Sequence, residues 1–268
     1  LVDGVAGEVF FGRADGTFVA AEKDTPLYAG DAIETGAGRV ALTLVDGARV
    51  SLGENTHVGI EHVLYDPARR IGEIALSVEG GAVSFVAGEI GRRDLDAFTF
   101  HTPSAIVGVR EAAGAVRVSP GGETTAVLLP RAKGDLGEIA LVNGGGMKTL
   151  DQANEGARAS AYDVVPSPPF LMTVRQVGLQ FGDAVTSLAD GAREFTPVYL
   201  EAVARAHREN PTAFAAPPRP EEDPALAAWR PRTEIADARE QAEWEAQITR
   251  GDPQDAARGW GMDVVPGD

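Results

Sequence analysis

The sequence predicts a mainly β protein whose C-terminal region is α-helical and rich in proline. Two observations support this prediction. Short runs of β-type residues alternate with glycine turns throughout residues 1–165, and this first part holds 25 of the 32 glycines. Residues 166–268 hold 12 of the 17 prolines. We therefore divide the chain into an all-β domain (1–165), a helical hairpin or helix pair (166–210) and a proline-rich tail with a terminal helix (211–268).

The strand prediction for the first region rests on alternation and on turn signals. In the segment 39–44, Val40, Leu42 and Leu44 would share one side of a strand. Pairs such as Asp46-Gly47 and Gly80-Gly81 suit the positive φ of tight turns. A sandwich, a barrel and a solenoid all share this pattern. The predicted strands are 5–11, 18–21, 39–44, 48–52, 57–64, 72–78, 81–87, 97–101, 115–118, 124–129 and 138–142.

Two apolar stripes at helical spacing follow the β region. Gly178 and Gly182 fall in the first stripe, where glycine weakens a helix but permits a neighbour to approach closely. Residues 210–231 contain too many prolines for regular structure, and a last helix is predicted over 233–250. The first stripe consists of Phe170, Leu171, Val174, Val177, Phe181, Val185 and Leu188. The second consists of Phe195, Val198, Tyr199, Ala202, Val203 and Ala206.

Composition excludes several classes of function. The net charge of −16 opposes binding to nucleic acids or anionic lipid surfaces. The absence of cysteine excludes disulfides, thiolate catalysis and cysteine-ligated zinc. The sequence has no apolar run long enough to insert into a membrane. Because the chain begins at Leu1 rather than Met, we expect that a signal peptide has been removed.

No pattern of residues predicts catalysis, a cofactor or a metal site. His57 and His62 are five residues apart on a predicted strand, which places them on opposite faces and excludes them as a metal-binding pair. Gly144–Lys148 lacks the spacing of a phosphate-binding loop. Acidic residues near glycine could bind calcium, but their spacing does not repeat. These acidic residues are Asp3, Asp15, Asp31, Asp46 and Glu54.

Four segments of the β region, in this order and spacing, resemble the FecR domain family. They are Gly30–Gly36, Asp46–Val50, Tyr65–Pro67 and His101–Arg110. The family is named after an iron-signalling regulator of the cell surface. The residues that carry the resemblance are Gly30, Asp31, Asp46, Gly47, Asp66, Pro67, Thr102, Pro103 and Arg110.

The resemblance implies a compact β-solenoid-like roll that acts outside the cytoplasm, without catalysis. Arg110 is expected to hold neighbouring strands together through carbonyl groups or an internal acid. The family's Gly-Thr pair after this arginine is replaced here by Glu111-Ala112, so the tight glycine turn is expected to be altered.

Three functions remain open from the sequence. Our main hypothesis is an exported protein that self-assembles or binds another extracytoplasmic protein, with Trp229, Trp244 and Trp260 of the tail as partner contacts. The alternative, implied by the resemblance, is a periplasmic sensor or regulator in iron-linked signalling. A third hypothesis is a surface module that binds a glycan or calcium.

Overall fold

The computed structural model describes residues 1–13, 16–187 and 194–209, which form two β-sheets and a pair of helices. All strand pairs in the described residues are antiparallel except one, between β8 and β9. Sixteen strands are present in this part of the chain. The tail, 211–268, with Trp229, Trp244 and Trp260, lies outside the described residues.

Sheet A contains eight strands, with the long strand β8 contributing its C-terminal half. The order across the sheet is β1-β5-β6-β8-β11-β12-β15-β16. The strands are β1 (Val2–Ala6), β5 (Arg39–Thr43), β6 (Arg49–Leu52), β8 (Ile71–Val86), β11 (Ala113–Val118), β12 (Thr124–Leu128), β15 (Glu155–Ala159) and β16 (Phe170–Leu171).

Sheet B uses the N-terminal half of β8 and eight further strands. The order is β3-β2-β4-β7-β8-β9-β10-β13-β14. The additional strands are β2 (Val9–Gly12), β3 (Phe18–Ala20), β4 (Ala32–Thr35), β7 (His57–Asp66), β9 (Phe98–His101), β10 (Ile106–Arg110), β13 (Glu138–Asn143) and β14 (Gly146–Leu150).

Strand β8 passes from one sheet to the other at Gly80 and Gly81. It pairs with β7 and β9 before this point and with β6 and β11 after it. Gly81 has φ +87°, and its backbone lies against Asn55 and Thr56. The Thr56 hydroxyl accepts a hydrogen bond from the Ala82 N–H (3.0 Å) and lies 3.2 Å from the Ala82 carbonyl. A side chain thus takes the place of a strand neighbour where β8 changes sheets.

Aromatic packing joins the inner faces of the two sheets. Phe85 of sheet A lies 4.8 Å from Phe100 and 5.9 Å from Phe98, both of sheet B, between ring centroids. All three side chains are fully buried. They stand at the centre of a continuous core that includes Ile33, Leu76 and Val116.

Two helices, α1 (Val174–Ser187) and α2 (Pro197–Glu209), cover the outer face of sheet A. A second core forms there from α1, α2 and the outward-facing residues of the sheet, including Phe181, Val127 and Ala115. Polar contacts fix the position of α1. The Asp183 carboxylate accepts the Glu54 N–H at 2.8 Å, and the Ser84 hydroxyl donates to the Ala184 carbonyl at 2.9 Å.

The contact between the helices confirms the role predicted for the two glycines of α1. A Cβ atom on Gly178 would lie 2.5 Å from the Ala206 Cβ. A Cβ on Gly182 would lie 2.6 Å from the Cβ of His207. Each glycine therefore lets the backbone of α1 approach α2 closely, at the cost of a lower helix propensity.

The mainly β class and the pair of helices are confirmed, and both helices fall in the predicted region 166–210. Phe170 and Leu171 belong to strand β16 rather than to the first helix. The β-solenoid-like roll is not confirmed, because a solenoid stacks parallel coils whereas these ladders are almost all antiparallel. Strands β4, β10, β14 and β15 were absent from the predicted set.

Two glycines with similar positive φ should lose different amounts of stability when they are replaced by alanine, because only Gly81 lies where β8 changes sheets. We expect Gly81→Ala to lower the free energy of unfolding by about 3 kcal/mol, because strain at positive φ adds to overlap with Thr56. Gly47→Ala is the matched control: φ is +82°, and a Cβ there meets no atom within 4 Å. It should cost only about 1 kcal/mol. Urea unfolding followed by circular dichroism measures both, and equal losses would contradict this explanation.

Candidate interaction surface

Gly30 and Asp31 fasten the loop before β4 to the neighbouring strand β7. Gly30 has φ +88°, and its N–H donates to the Ile60 carbonyl at 2.7 Å. The buried Asp31 carboxylate accepts hydrogen bonds from the Tyr28 N–H (2.9 Å) and from the guanidinium of Arg13. Both residues of the predicted motif therefore hold this loop in place, Gly30 through its backbone and Asp31 through its side chain.

Asp46 connects two turns that are far apart in sequence. Its buried carboxylate accepts the Ala48 N–H at 3.0 Å within the β5–β6 turn and the Ile90 N–H at 3.1 Å. Gly47 follows with positive φ, as the turn requires. The carboxylate thus joins the hairpin of sheet A to the short helical turn Ile90–Arg92.

Asp66 ends strand β7, and Pro67 begins the exposed hairpin turn between β7 and β8. The Asp66 carboxylate accepts the N–H groups of Ala68 (2.9 Å) and Arg69 (3.1 Å), which is a local turn-stabilising arrangement. Beside this turn, the Tyr65 hydroxyl donates to Glu89 Oε2 at 2.6 Å, and the Glu89 N–H donates to the Asp46 carbonyl at 3.1 Å, so the hairpin lies near Asp46. The structure does not bring the predicted motif together as one site.

Thr102 and Pro103 form the turn between β9 and β10, at the end of the sandwich where both sheets meet. Thr102 Oγ1 accepts the Ala105 N–H at 3.0 Å. The buried Ser104 hydroxyl lies 2.7 Å from Thr124 Oγ1 and 2.9 Å from the Ala159 carbonyl, both in sheet A. A hydroxyl network therefore ties this turn of sheet B to sheet A. Sequence reasoning missed Ser104 and Thr124, since only their contact reveals them.

Arg110 pairs with Glu138 on the adjacent strand β13, directly opposite in the register. The pair is partly exposed, so the acid that Arg110 contacts is a surface residue rather than an internal one. The following turn keeps a left-handed conformation although glycine is missing, since Glu111 has φ +52°.

The positive φ of Glu111 should cost stability, and two substitutions at this position separate backbone strain from charge. Glu111→Gly should raise the free energy of unfolding by about 1 kcal/mol, because glycine adopts positive φ without a penalty. Glu111→Ala also removes the carboxylate but keeps the Cβ, so it should give no comparable gain. Thermal and urea unfolding of both variants decide this point. Equal effects would attribute the change to charge rather than to backbone strain.

Three histidine–glutamate pairs lie on the outer face of sheet B. His62 Nε2 lies 2.8 Å from Glu73 Oε1, and His101 Nδ1 lies 2.7 Å from Glu61 Oε2. His57 Nδ1 lies 3.4 Å from Glu34 Oε1.

The prediction that His57 and His62 face opposite sides is wrong. The β7–β8 register shifts between Ile60 and His62, so Glu61 is an extra residue in the ladder. A one-residue bulge reverses the alternation of side chains, and both histidines consequently face outward. Single-strand periodicity cannot reveal such a bulge.

The local environments give His57 and His62 different titration behaviour. The hydrogen bond to Glu73 raises the pKa of His62 above its ordinary value, although partial burial opposes this effect. Burial lowers the pKa of His57 to about 4 and raises the pKa of Glu34. At neutral pH His57 is therefore uncharged, and its contact with Glu34 is not a salt bridge.

A pH titration of the histidine side chains by NMR should resolve these two groups. His62 should titrate above the ordinary histidine value and His57 at about 4. Glu73→Gln should lower the pKa of His62 and leave that of His57 unchanged. Because the folded-state pKa of His62 is raised, its contribution to stability is complete below the unfolded-state pKa and is lost as pH rises through the folded-state value. An unchanged His62 titration in the variant would contradict the assigned pair.

Three apolar side chains extend the outer face of sheet B from His101 to the edge strand β14. Cross-strand pairing places Ile106 next to His101, Val142 next to Ile106 and Met147 next to Val142. All three apolar side chains are exposed, Met147 by 58%. We use the name acidic–apolar surface for Glu61, Glu73, His101, Ile106, Val142 and Met147 together.

The acidic–apolar surface joins carboxylate and imidazole groups at one end to exposed apolar side chains at the other. Among the described residues, no group of three or more histidine, aspartate or glutamate side chains is placed to hold a metal ion. Neither described helix has the length and apolar content needed to cross a membrane. The carboxylates of Asp31 and Asp46 bind the chain's own N–H groups and Arg13, as given above.

Comparison with known proteins gives one family match. Residues 31–130 match the model of the FecR protein family. Two solved structures of a proposed anti-sigma factor from Parabacteroides distasonis are similar, with 18% and 16% identity and TM-scores of 0.41 and 0.40. They cover 55% of this chain, which spans 62% and 63% of theirs. No curated protein matches the chain in sequence.

Proposed function

Because residues 31–130 of this chain are a FecR domain, we propose that the protein is a non-enzymatic regulator in signalling at the cell surface. In this proposal the domain works outside the cytoplasm and acts by contacting another protein. The family match is the observation that carries the proposal, and the step from family to role is one of analogy.

The structure supports action through a preformed surface. Asp31, Asp46 and Ser104 each fix a turn through buried hydrogen bonds. The sheets between these turns are joined by a continuous apolar core. Such a framework holds the outer face of sheet B in a defined arrangement, which lowers the entropic cost of binding a partner.

Self-assembly, the main hypothesis from the sequence, gains no support from the family match, which favours the alternative of a signalling regulator. A link to iron and an extracytoplasmic location remain parts of the proposal. Both follow from the family resemblance.

Deletion of the gene tests the proposed role. We expect a restricted group of transcripts to change, under iron-limited or iron-replete growth, and the full-length gene to restore them. A gene carrying Gly81→Ala, which destabilises the fold, should restore them less well. Unchanged transcripts under both conditions would reject the signalling role.

The native mass of this 268-residue chain provides an independent check. Light scattering should give a species near 28.0 kDa. Filaments or large oligomers would instead favour the self-assembling component.

A further inference from the structure

The outer faces of the two sheets differ in how far the helices cover them. In sheet A, α1 and α2 cover the apolar residues of the outer face. In sheet B, neither described helix makes extensive contact with β7, β9, β10, β13 or β14, and α1 meets β8 in its sheet A half, where the Ser84 hydroxyl donates to the Ala184 carbonyl. The loop before β9 lies against this face at Gly108, where a Cβ would collide with the Leu95 carbonyl. A contiguous row of exposed apolar side chains on a sheet is one feature of sites that contact another molecule.

The acidic–apolar surface is polar at one end and apolar at the other. Glu61 and Glu73 lie on β7 and β8, whereas Ile106, Val142 and Met147 lie on β10, β13 and β14. The five strand spacings from β7 to β14 amount to about 24 Å. This length equals that of a helix of about 16 residues.

When His62 and His101 are uncharged, Glu61 and Glu73 give this surface two negative charges, and protonation of His62, whose pKa the Glu73 hydrogen bond raises, cancels one of them. The neighbouring pair Arg110–Glu138 adds no net charge. The loop residues Arg92, Arg93, Asp94 and Asp96 also cancel one another. The carboxylates of Glu61 and Glu73 therefore determine the sign of the local potential.

Charge complementarity selects among the molecules that could cover this surface. A second copy of the chain carries −16. It would be repelled by the two carboxylates, as would anionic lipids and nucleic acids.

We propose that the acidic–apolar surface binds a segment of a partner protein that is basic at one end and apolar at the other. Lysine or arginine side chains of the segment pair with Glu61 and Glu73, and its apolar end covers Ile106, Val142 and Met147. This inference rests on the proposed function, since it gives the chemistry of the partner through which the regulator acts.

A labelled synthetic peptide tests the charge requirement. The probe has 16 residues, with lysine and arginine in one half and leucine and alanine in the other. A peptide in which the same residues are evenly distributed is the control for composition. Fluorescence anisotropy with the full-length protein at physiological salt should show tighter binding of the probe than of this control.

Two double variants with the same change in net charge locate the site. Glu61→Gln with Glu73→Gln should weaken binding of the probe about fivefold, from two charge pairs of about 0.5 kcal/mol each. Glu201→Gln with Glu209→Gln alters exposed residues of α2, on the helical side, and should leave the affinity unchanged. Equal losses in both variants would show a general effect of the negative charge and overturn the proposal.

The apolar end is tested by a second matched pair. Met147→Ser should weaken binding several-fold, whereas Val198→Ser, at a 78% exposed position of α2, should not. A native mass that doubles with concentration and is reduced by Met147→Ser would identify a second copy as the occupant and reject the proposal. If the deletion strain shows the expected transcript changes but the peptide variants bind alike, only the surface is rejected and the regulatory role stands.

Discussion

The architecture depends on the passage of β8 through both sheets. Its 16 residues supply a ladder partner to four other strands, and its C-terminal half brings Phe85 against Phe98 and Phe100. The same half presents Ser84 to α1. Continuous pairing across a change of sheet requires a residue that tolerates both positive φ and close backbone contact, and Gly81 meets both conditions.

The residues that carry the resemblance to the FecR domain act mainly on the framework of the two sheets. Asp46 satisfies backbone N–H groups of two turns, and the turn at Thr102 and Ser104 joins the sheets at one end. A buried N–H without a partner would cost about 1–3 kcal/mol, so these positions are constrained by the fold itself. These residues therefore predict the type of domain but do not predict which partner it binds. The surface between them is free to differ in charge and shape.

Local patterns of apolar residues and glycines in the sequence predicted most of the secondary structure. Alternation and glycine turns predicted most strands, and the apolar stripes predicted both helices together with the close contact at Gly178. Short strands such as β4 and β10 adjoin turns, and their residues fit loops equally well. The acidic–apolar surface was not predicted, because its members come from six strands and are adjacent only through pairing across the sheet.

The bulge at Glu61 is the physical cause of the acidic end of that surface. Ile60 and Val63 both pack inward, opposite Leu76 and Ile74. Two residues lie between them, and without the bulge regular alternation would direct His62 into the apolar core and Val63 outward. The bulge allows both Glu61 and His62 to face solvent, where each pairs with a residue of another strand. The bulge thus leaves the apolar core intact and places additional titratable side chains on the outer face. In this way a stable β framework can acquire a binding surface.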